Sequence, residues 1–273
     1  MEDSKNKKEH LAVSVKDGVR IIRFNRPEKK NALDVSIMTN IVPVLNEAAA
    51  DSNTVITVIT GTGEYFTAGN DMNNFMSDPK DVPGVEISEE GEYDDPAKTA
   101  STSFGKIVTA LIDFPKPLIA IVNGPAIGFG VTMLGLCDVV YASDSATFHT
   151  PFMTLALCPE GSSSFTFPNM MGPQNANEML MFGRKITAKE AQRQGLVAKV
   201  YPHESLDLAW AQVYQWAKLP PGAMITAKAL IRDPIRKQLH KANETECNVL
   251  IERFKSDEAI EAIINFLSRK SKL

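Results

Sequence analysis

Lys116-Pro117-Leu118-Ile119-Ala120-Ile121-Val122-Asn123-Gly124-Pro125-Ala126-Ile127-Gly128-Phe129-Gly130 carries the pattern that decides the fold. Leu118–Val122 is wholly apolar and sits between prolines and an Asn-Gly-Pro turn. A short apolar run with turn signals at both ends reads as a strand buried on both faces. Ile127 to Leu136 then reads as a glycine-containing helix, and Asp138–Ala142 and Thr147–His149 as further strands. Upstream, Val55–Thr60 repeats the buried-strand pattern and ends at Gly61-Thr62-Gly63. Small residues follow each of the two buried strands: Phe66-Thr67-Ala68-Gly69-Asn70-Asp71 after the first, Gly124 to Gly130 after the second. Such loops let a ligand approach the backbone and leave N–H groups exposed. Two of them from neighbouring strands can aim two donors at one oxygen. Ordinary tight turns account for the same composition equally well.

Further out, Leu11–Val15 and Val19–Phe24 alternate around Lys16-Asp17-Gly18 and read as a hairpin. Asp34 or Ser36 caps an expected helix to about Ala50, with Ile37, Ile41, Val44 and Leu45 on one face. The pattern weakens from Met72 to about Ser103. The acidic segment Val85–Asp95 reads as a solvated loop. Phe104–Asp113 is helical in period. Downstream of Ser162 the chain is mainly helical, with Thr187–Gln194 capped by Thr187 and stopped by Gly195. A helix over Leu206–Ala217 and three more, Ala223–Ile231, Pro234–Phe254 and Asp257–Ser268, complete the reading. Strands alternating with helices, then a helical tail, indicate an α/β fold with a C-terminal helical module. The boundary falls near position 200, giving a core over 1–200 and a helical module over 201–273.

At 273 residues, the chain is long enough to bury a large core without disulfides or a structural metal. Its net charge of −4 and pI of about 5.7 disfavour nucleic-acid binding. Three cysteines without C-x-x-C spacing make a disulfide scaffold or zinc ribbon a poor fit, and no metal site is expected. No apolar run approaches the length of a membrane span. The P-loop, H-E-x-x-H and G-x-S-x-G patterns are absent, and Gly124, Gly128 and Gly130 do not complete a dinucleotide fingerprint. The closing Ser271-Lys272-Leu273 matches a peroxisomal address, which makes the peroxisome matrix the expected location and its import receptor an expected partner.

Several motifs resemble the enoyl-CoA hydratase/isomerase (crotonase) superfamily along nearly the whole chain. They are Phe24-Asn25-Arg26-Pro27 with Asn31-Ala32-Leu33, Thr60-Gly61 with Phe66 to Asp71, Lys116 to Ala120 with Asn123 to Gly128, and Cys137 to Ala142. The likeness is strongest to its peroxisomal Δ3,Δ2-enoyl-CoA isomerases, through Ala146 to Phe152, Pro159-Glu160-Gly161 and Asn265 to Leu273. An N-terminal acyl-CoA-binding domain, carried by some vertebrate members, is not expected before Leu11.

The resemblance implies a spiral of ββα units and C-terminal helices that support a homotrimer or a dimer of trimers. It implies a fatty acyl-CoA substrate and no separate cofactor, the CoA belonging to the substrate. The N–H groups of Ala68 and Phe129 are the implied oxyanion hole. Arg26, Lys29, Lys30, Ala32, Leu33, Thr67, Ala68, Gly69, Asn70 and Asp71 are the implied CoA-binding stretch. Phe129, Phe152 and Met153 are the expected acyl pocket. Family hydratases place one glutamate at the position of Thr132 and another at that of Phe152, so both carboxylates of a water-adding pair are missing. Glu160 stands where the isomerases resembled keep their catalytic glutamate. One carboxylate suffices for a 1,3-proton shift, which moves the double bond of a 3-enoyl-CoA to the trans-2 position, a step in β-oxidation of unsaturated fatty acids. Read locally, Glu160 is equally a helix-start charge or cap. A dienoyl-CoA isomerase, a weak hydratase and a non-catalytic thioester-binding protein on the same fold are the competing readings. His149 and Cys158 are expected to pack rather than react.

Overall fold

The structure is a computed structural model that describes residues 9–71 and 96–270. The acidic 85–95 segment and the terminal Ser271-Lys272-Leu273 lie outside the described residues.

The chain opens with β1 (Leu11–Lys16) and β2 (Val19–Phe24), joined by Asp17 at φ 49° and Gly18 at φ 78°. Positive φ at both turn residues matches the twist of a tight hairpin, which the Asp-Gly pair allows. Next come α1 (Val35–Ala50) and β3 (Ile56–Gly61), then α2 (Pro96–Asp113), β4 (Leu118–Val122) and β5 (Ala126–Ile127). Asp34, not Ser36, caps α1 by accepting the Ile37 N–H. A short α3 (Phe129–Thr132) leads into a 3-10 turn, β6 (Val139–Ser143) and β7 (Thr147–His149). The remainder is α4 (Ser163–Met171), α5 (Pro173–Leu180), β8 (Ile186–Thr187), α6 (Ala188–Gln194), β9 (Lys199–Tyr201), α7 (Asp207–Trp216), α8 (Pro221–Phe254) and α9 (Asp257–Lys270).

Six strands form one sheet in the order β1-β2-β3-β4-β6-β9, with only the β1–β2 pair antiparallel. Alternation along the strands divides the core in two. Ile22, Phe24, Ile59, Leu118, Ala120 and Val122 face the larger cluster, under α1 and α2. Val19, Ile21, Val58, Ile119 and Ile121 face the smaller one, closed by Ala209 and Val213 of α7 and by Ala217 at its C-terminal end. After each central strand the chain visits a second layer before turning back. Leu33 bridges Asn70, Thr67 bridges Ala126, and β5 pairs with β7, itself paired with β8. This repeated excursion is the expected spiral, and it stacks the loops after β3 and β4 side by side.

Three expected elements change. Ala126–Ile127 is a strand rather than the start of a helix, because Gly128 at φ 57° breaks the chain before α3. The helix expected from Phe104 starts at Pro96. Pro234 does not divide the tail: α8 runs unbroken for 34 residues. A helical proline frees the carbonyl four residues back. Here that residue is Leu230, which is 74% exposed rather than locked in the core.

Candidate active site

Parallel strands β3 and β4 end beside each other, and the loops that leave them build the site. Two buried asparagines shape these loops. Asn123 Oδ1 accepts the Gly61 N–H at 3.0 Å, while its amide donates to Gly63 O at 2.7 Å. Asn31, wholly buried, donates to Thr62 O and Tyr65 O at 2.9 and 2.7 Å. Gly69, at φ 81°, lies so close to the next loop that a Cβ there would stand 2.8 Å from Ile127 O. Only glycine permits that approach.

This packing assigns the backbone donors. The Phe129 N–H opens α3, and among the described residues it has no partner, as expected for the first turn of a helix. The Ala68 N–H does not join it. It donates to Lys30 O at 2.9 Å and is therefore unavailable as an oxyanion donor, which corrects the expectation from sequence. Asn70, two residues on, forms a parallel bridge with Leu33. Leu33 pairs through its N–H with Gly69 O and through its C=O with the Asp71 N–H. In a parallel bridge of this register, the N–H of Asn70 points to the opposite side.

Several of the residues expected to meet CoA make framework contacts. Arg26 donates to Asp71 Oδ2 at 3.1 Å and to Ala32 O at 2.8 Å, and it lies 3.5 Å from Asp34. Leu33 is core, and Thr67 Oγ1 is spent on Asn31 O and the Gly69 N–H. Lys29 and Lys30 are exposed, with the Lys30 ammonium 5.1 Å from the Tyr65 ring centre.

Glu160 lies on the loop that follows β7, three residues before α4 begins at Ser163. Its neighbour Gly161, at φ 70°, packs on the first turn of α3. A Cβ on Gly161 would stand 2.7 Å from Thr132 Oγ1 and 3.6 Å from the Phe129 ring. Gly161 thus packs the Glu160 loop against α3. Burial, and then the charge of Glu246, push its carboxyl up to about 8. Among the described residues that carboxylate accepts no hydrogen bond. The alternative role, capping α4, is filled by another residue: Glu246 of α8 accepts the N–H groups of Ser162 at 2.6 Å and Ser164 at 2.8 Å.

Of the expected acyl pocket, Phe129 is buried against Phe104, with ring centres 5.3 Å apart, and Phe152 is buried. Met153 is 45% exposed and adds nothing to the buried surroundings of Glu160. Burial lowers the His149 ring, and the His149 carbonyl accepts the Gly128 N–H at 2.9 Å, a structural role. Among the described residues no group of three His, Cys, Asp or Glu is placed to hold a metal, and no helix is long and apolar enough to cross a membrane.

The enoyl-CoA hydratase/isomerase family model matches residues 14–272. The chain belongs to that family. It is 49% identical over 266 residues to human enoyl-CoA delta isomerase 2, covering 97% of this chain and 65% of that protein. It is 44% identical over 263 residues to mouse enoyl-CoA delta isomerase 3, peroxisomal, covering 96% and 79%. The chain therefore spans just under two thirds of the human relative. A crystal structure of an enoyl-CoA hydratase/isomerase from Pseudoalteromonas atlantica superposes with a TM-score of 0.83 at 32% identity, covering 95% of this chain and 97% of that one.

The sequence reading names neither the Glu246 cap on α4 nor the direction of the Asn70 N–H. The local signal for Asn70 is weak, because donor direction depends on the register with Leu33. No sequence signal marks Glu246, which stands 84 residues from the N–H group of Ser162 that it caps.

Proposed function

We propose that this chain is a Δ3,Δ2-enoyl-CoA isomerase working with one carboxylate. The observation that carries the reading is Glu160: a carboxylate without a hydrogen bond among the described residues, raised by burial into the neutral range, on a loop packed against α3. A base whose pKa lies near working pH is best matched to proton transfer. Glu160 removes a proton from C2 of a 3-enoyl thioester. The electron pair moves into the conjugated dienolate, and its charge rests on the thioester oxygen. The N–H groups of Phe129 and Asn70 receive that oxygen; one such donor contributes on the order of 3 kcal/mol. The protonated Glu160 then delivers its proton to C4, leaving the double bond between C2 and C3. Lys29 and Lys30 meet the CoA phosphates, and Phe129 and Phe152 border the acyl chain.

Hydration fits poorly. Thr132 is wholly buried, donates to its own helix at Phe129 O over 3.3 Å, and is covered by Gly161. Position 152 carries a buried phenyl ring. No second carboxylate is therefore available at either hydratase position to activate water.

The relatives named as isomerases, one of them named peroxisomal, support a role in β-oxidation of unsaturated acyl-CoA in the peroxisome matrix. Import through Ser271-Lys272-Leu273 belongs to the same proposal. So does a homotrimer or a dimer of trimers, consistent with exposed Leu230, Ile231, Ile264 and Phe266 on α8 and α9.

The direct test supplies 3-hexenoyl-CoA and follows conjugated 2-enoyl thioester by near-ultraviolet absorbance. Conjugated product that accumulates is expected. Appearance of 3-hydroxyacyl-CoA at a comparable rate would remove the isomerase reading.

A further inference from the structure

Glu160 sits in a segment whose backbone turns sharply on both sides. Ala156, four residues before it, has φ 51°, and Ser162, two residues after it, has φ 58°. Both are non-glycine residues in the left-handed region, a conformation that persists only where the surroundings hold it. One helix face does so at both points. Leu239, Glu246 and Arg253 of α8 are spaced by seven residues, two helical turns, and so lie in one stripe. Arg253 donates through Nε and an outer nitrogen to Ala156 O at 2.8 and 2.7 Å. Glu246 accepts the Ser162 and Ser164 N–H groups, and Ser162 Oγ donates to Leu239 O at 3.1 Å.

We propose that Glu246 and Arg253 are positioning residues: from one face of α8 they grip the two turning points flanking Glu160 and set where its carboxylate stands. The proposal rests on Glu160 being the base. The grip has an electrostatic side as well. The N-terminus of α4 would otherwise stabilise a nearby carboxylate. Glu246 occupies that terminus with its own negative charge, so Glu160 meets repulsion where it would have met a partial positive charge. The other titratable group facing Glu160 is the Cys158 thiol of its own loop, pushed up to about 11 by burial first and by Glu160 next, and so neutral over the working range. The Arg253 charge acts on that thiol.

The test compares wild type, Glu160→Gln, Glu246→Gln, Glu246→Asp and Arg253→Lys in pH–rate profiles for conjugation of 3-hexenoyl-CoA. Glu246→Gln keeps the shape and removes the charge. Its kcat is expected to fall about tenfold or more with KM within about threefold, because misplacing a catalytic group costs rate rather than binding. The acid limb of kcat/KM should move to lower pH by about half a unit or more. Glu246→Asp, which keeps the charge on a shorter stem, should lose kcat with the acid limb in place. Arg253→Lys, which keeps charge but loses the two-point grip, should behave likewise. Wild-type kcat and acid limb in Glu246→Gln, with Glu160→Gln inactive, would overturn the clamp and leave the base assignment standing. Turnover retained in Glu160→Gln would overturn both. Should Glu246→Gln fail to fold, wild-type kcat in Glu246→Asp and Arg253→Lys would overturn the proposal.

Discussion

Replacing Glu160 by Gln should abolish turnover and yet stabilise the protein above neutral pH. The carboxyl moves from an ordinary 4.5 to about 8 on folding, burial being the larger cause and Glu246 the second. Between those values the folded chain holds the proton more tightly than the unfolded chain. Stability from this group is therefore full below pH 4.5 and is lost as pH rises through about 8. At about 1.4 kcal/mol per pH unit, the full separation corresponds to about 5 kcal/mol. Glu160 keeps some accessible surface, and screening brings this to about 2–3 kcal/mol. Glutamine cannot ionise, so the variant escapes the loss. In a chain of this size about 2–4 °C accompanies each kcal/mol, which sets an expected advantage of about 5–10 °C. Thermal unfolding of both proteins at pH 5.0 and 8.5, at one ionic strength, measures it. The melting points should nearly coincide at the lower pH and separate at the higher, with the variant more stable. A difference that is the same at both pH values, or that favours wild type at pH 8.5, would refute the burial argument.

Other substitutions probe the frame. Gly69→Ala introduces a Cβ 2.8 Å from Ile127 O at a residue with φ 81°; a loss of about 1–3 kcal/mol in urea unfolding is expected, together with reduced kcat as the two loops part. Arg26→Ala removes the ion pair to Asp71, which is 7% exposed. It should lower unfolding free energy by about 3 kcal/mol, whereas Lys30→Ala should raise KM for acyl-CoA and leave the melting point within a degree or two, as is usual for an exposed side chain. Thr132→Glu should destabilise the chain and yield no 3-hydroxy product by chromatography, because Gly161 already covers that position.

The parts of the fold set by local chemistry are legible in the sequence. Asp17-Gly18 marks the hairpin, the apolar runs mark β3 and β4, and Thr187 with Glu190 forms the capping box that starts α6. Reading fails where a distant partner decides. Pro234 looks like a helix stop because the exposure of Leu230 cannot be seen in one dimension. Arg26 looks like a phosphate ligand because Asp71, its partner, lies 45 residues away. Glu160 looks like a helix cap because α4 takes its cap from α8. The family motifs fall on the β3 and β4 loops, which the fold stacks side by side. They do not distinguish the Ala68 N–H, tied to Lys30 O, from that of Asn70 two residues on.

Single-turnover conversion of 3-hexenoyl-CoA by Glu160→Gln, with CoA-thioester affinity measured calorimetrically on the same preparation, tests the central claim most directly. Loss of at least about a thousandfold in rate, within the range for a removed general base, with affinity within a few-fold of wild type, is expected. Conversion within tenfold of wild type would show that another group carries the proton.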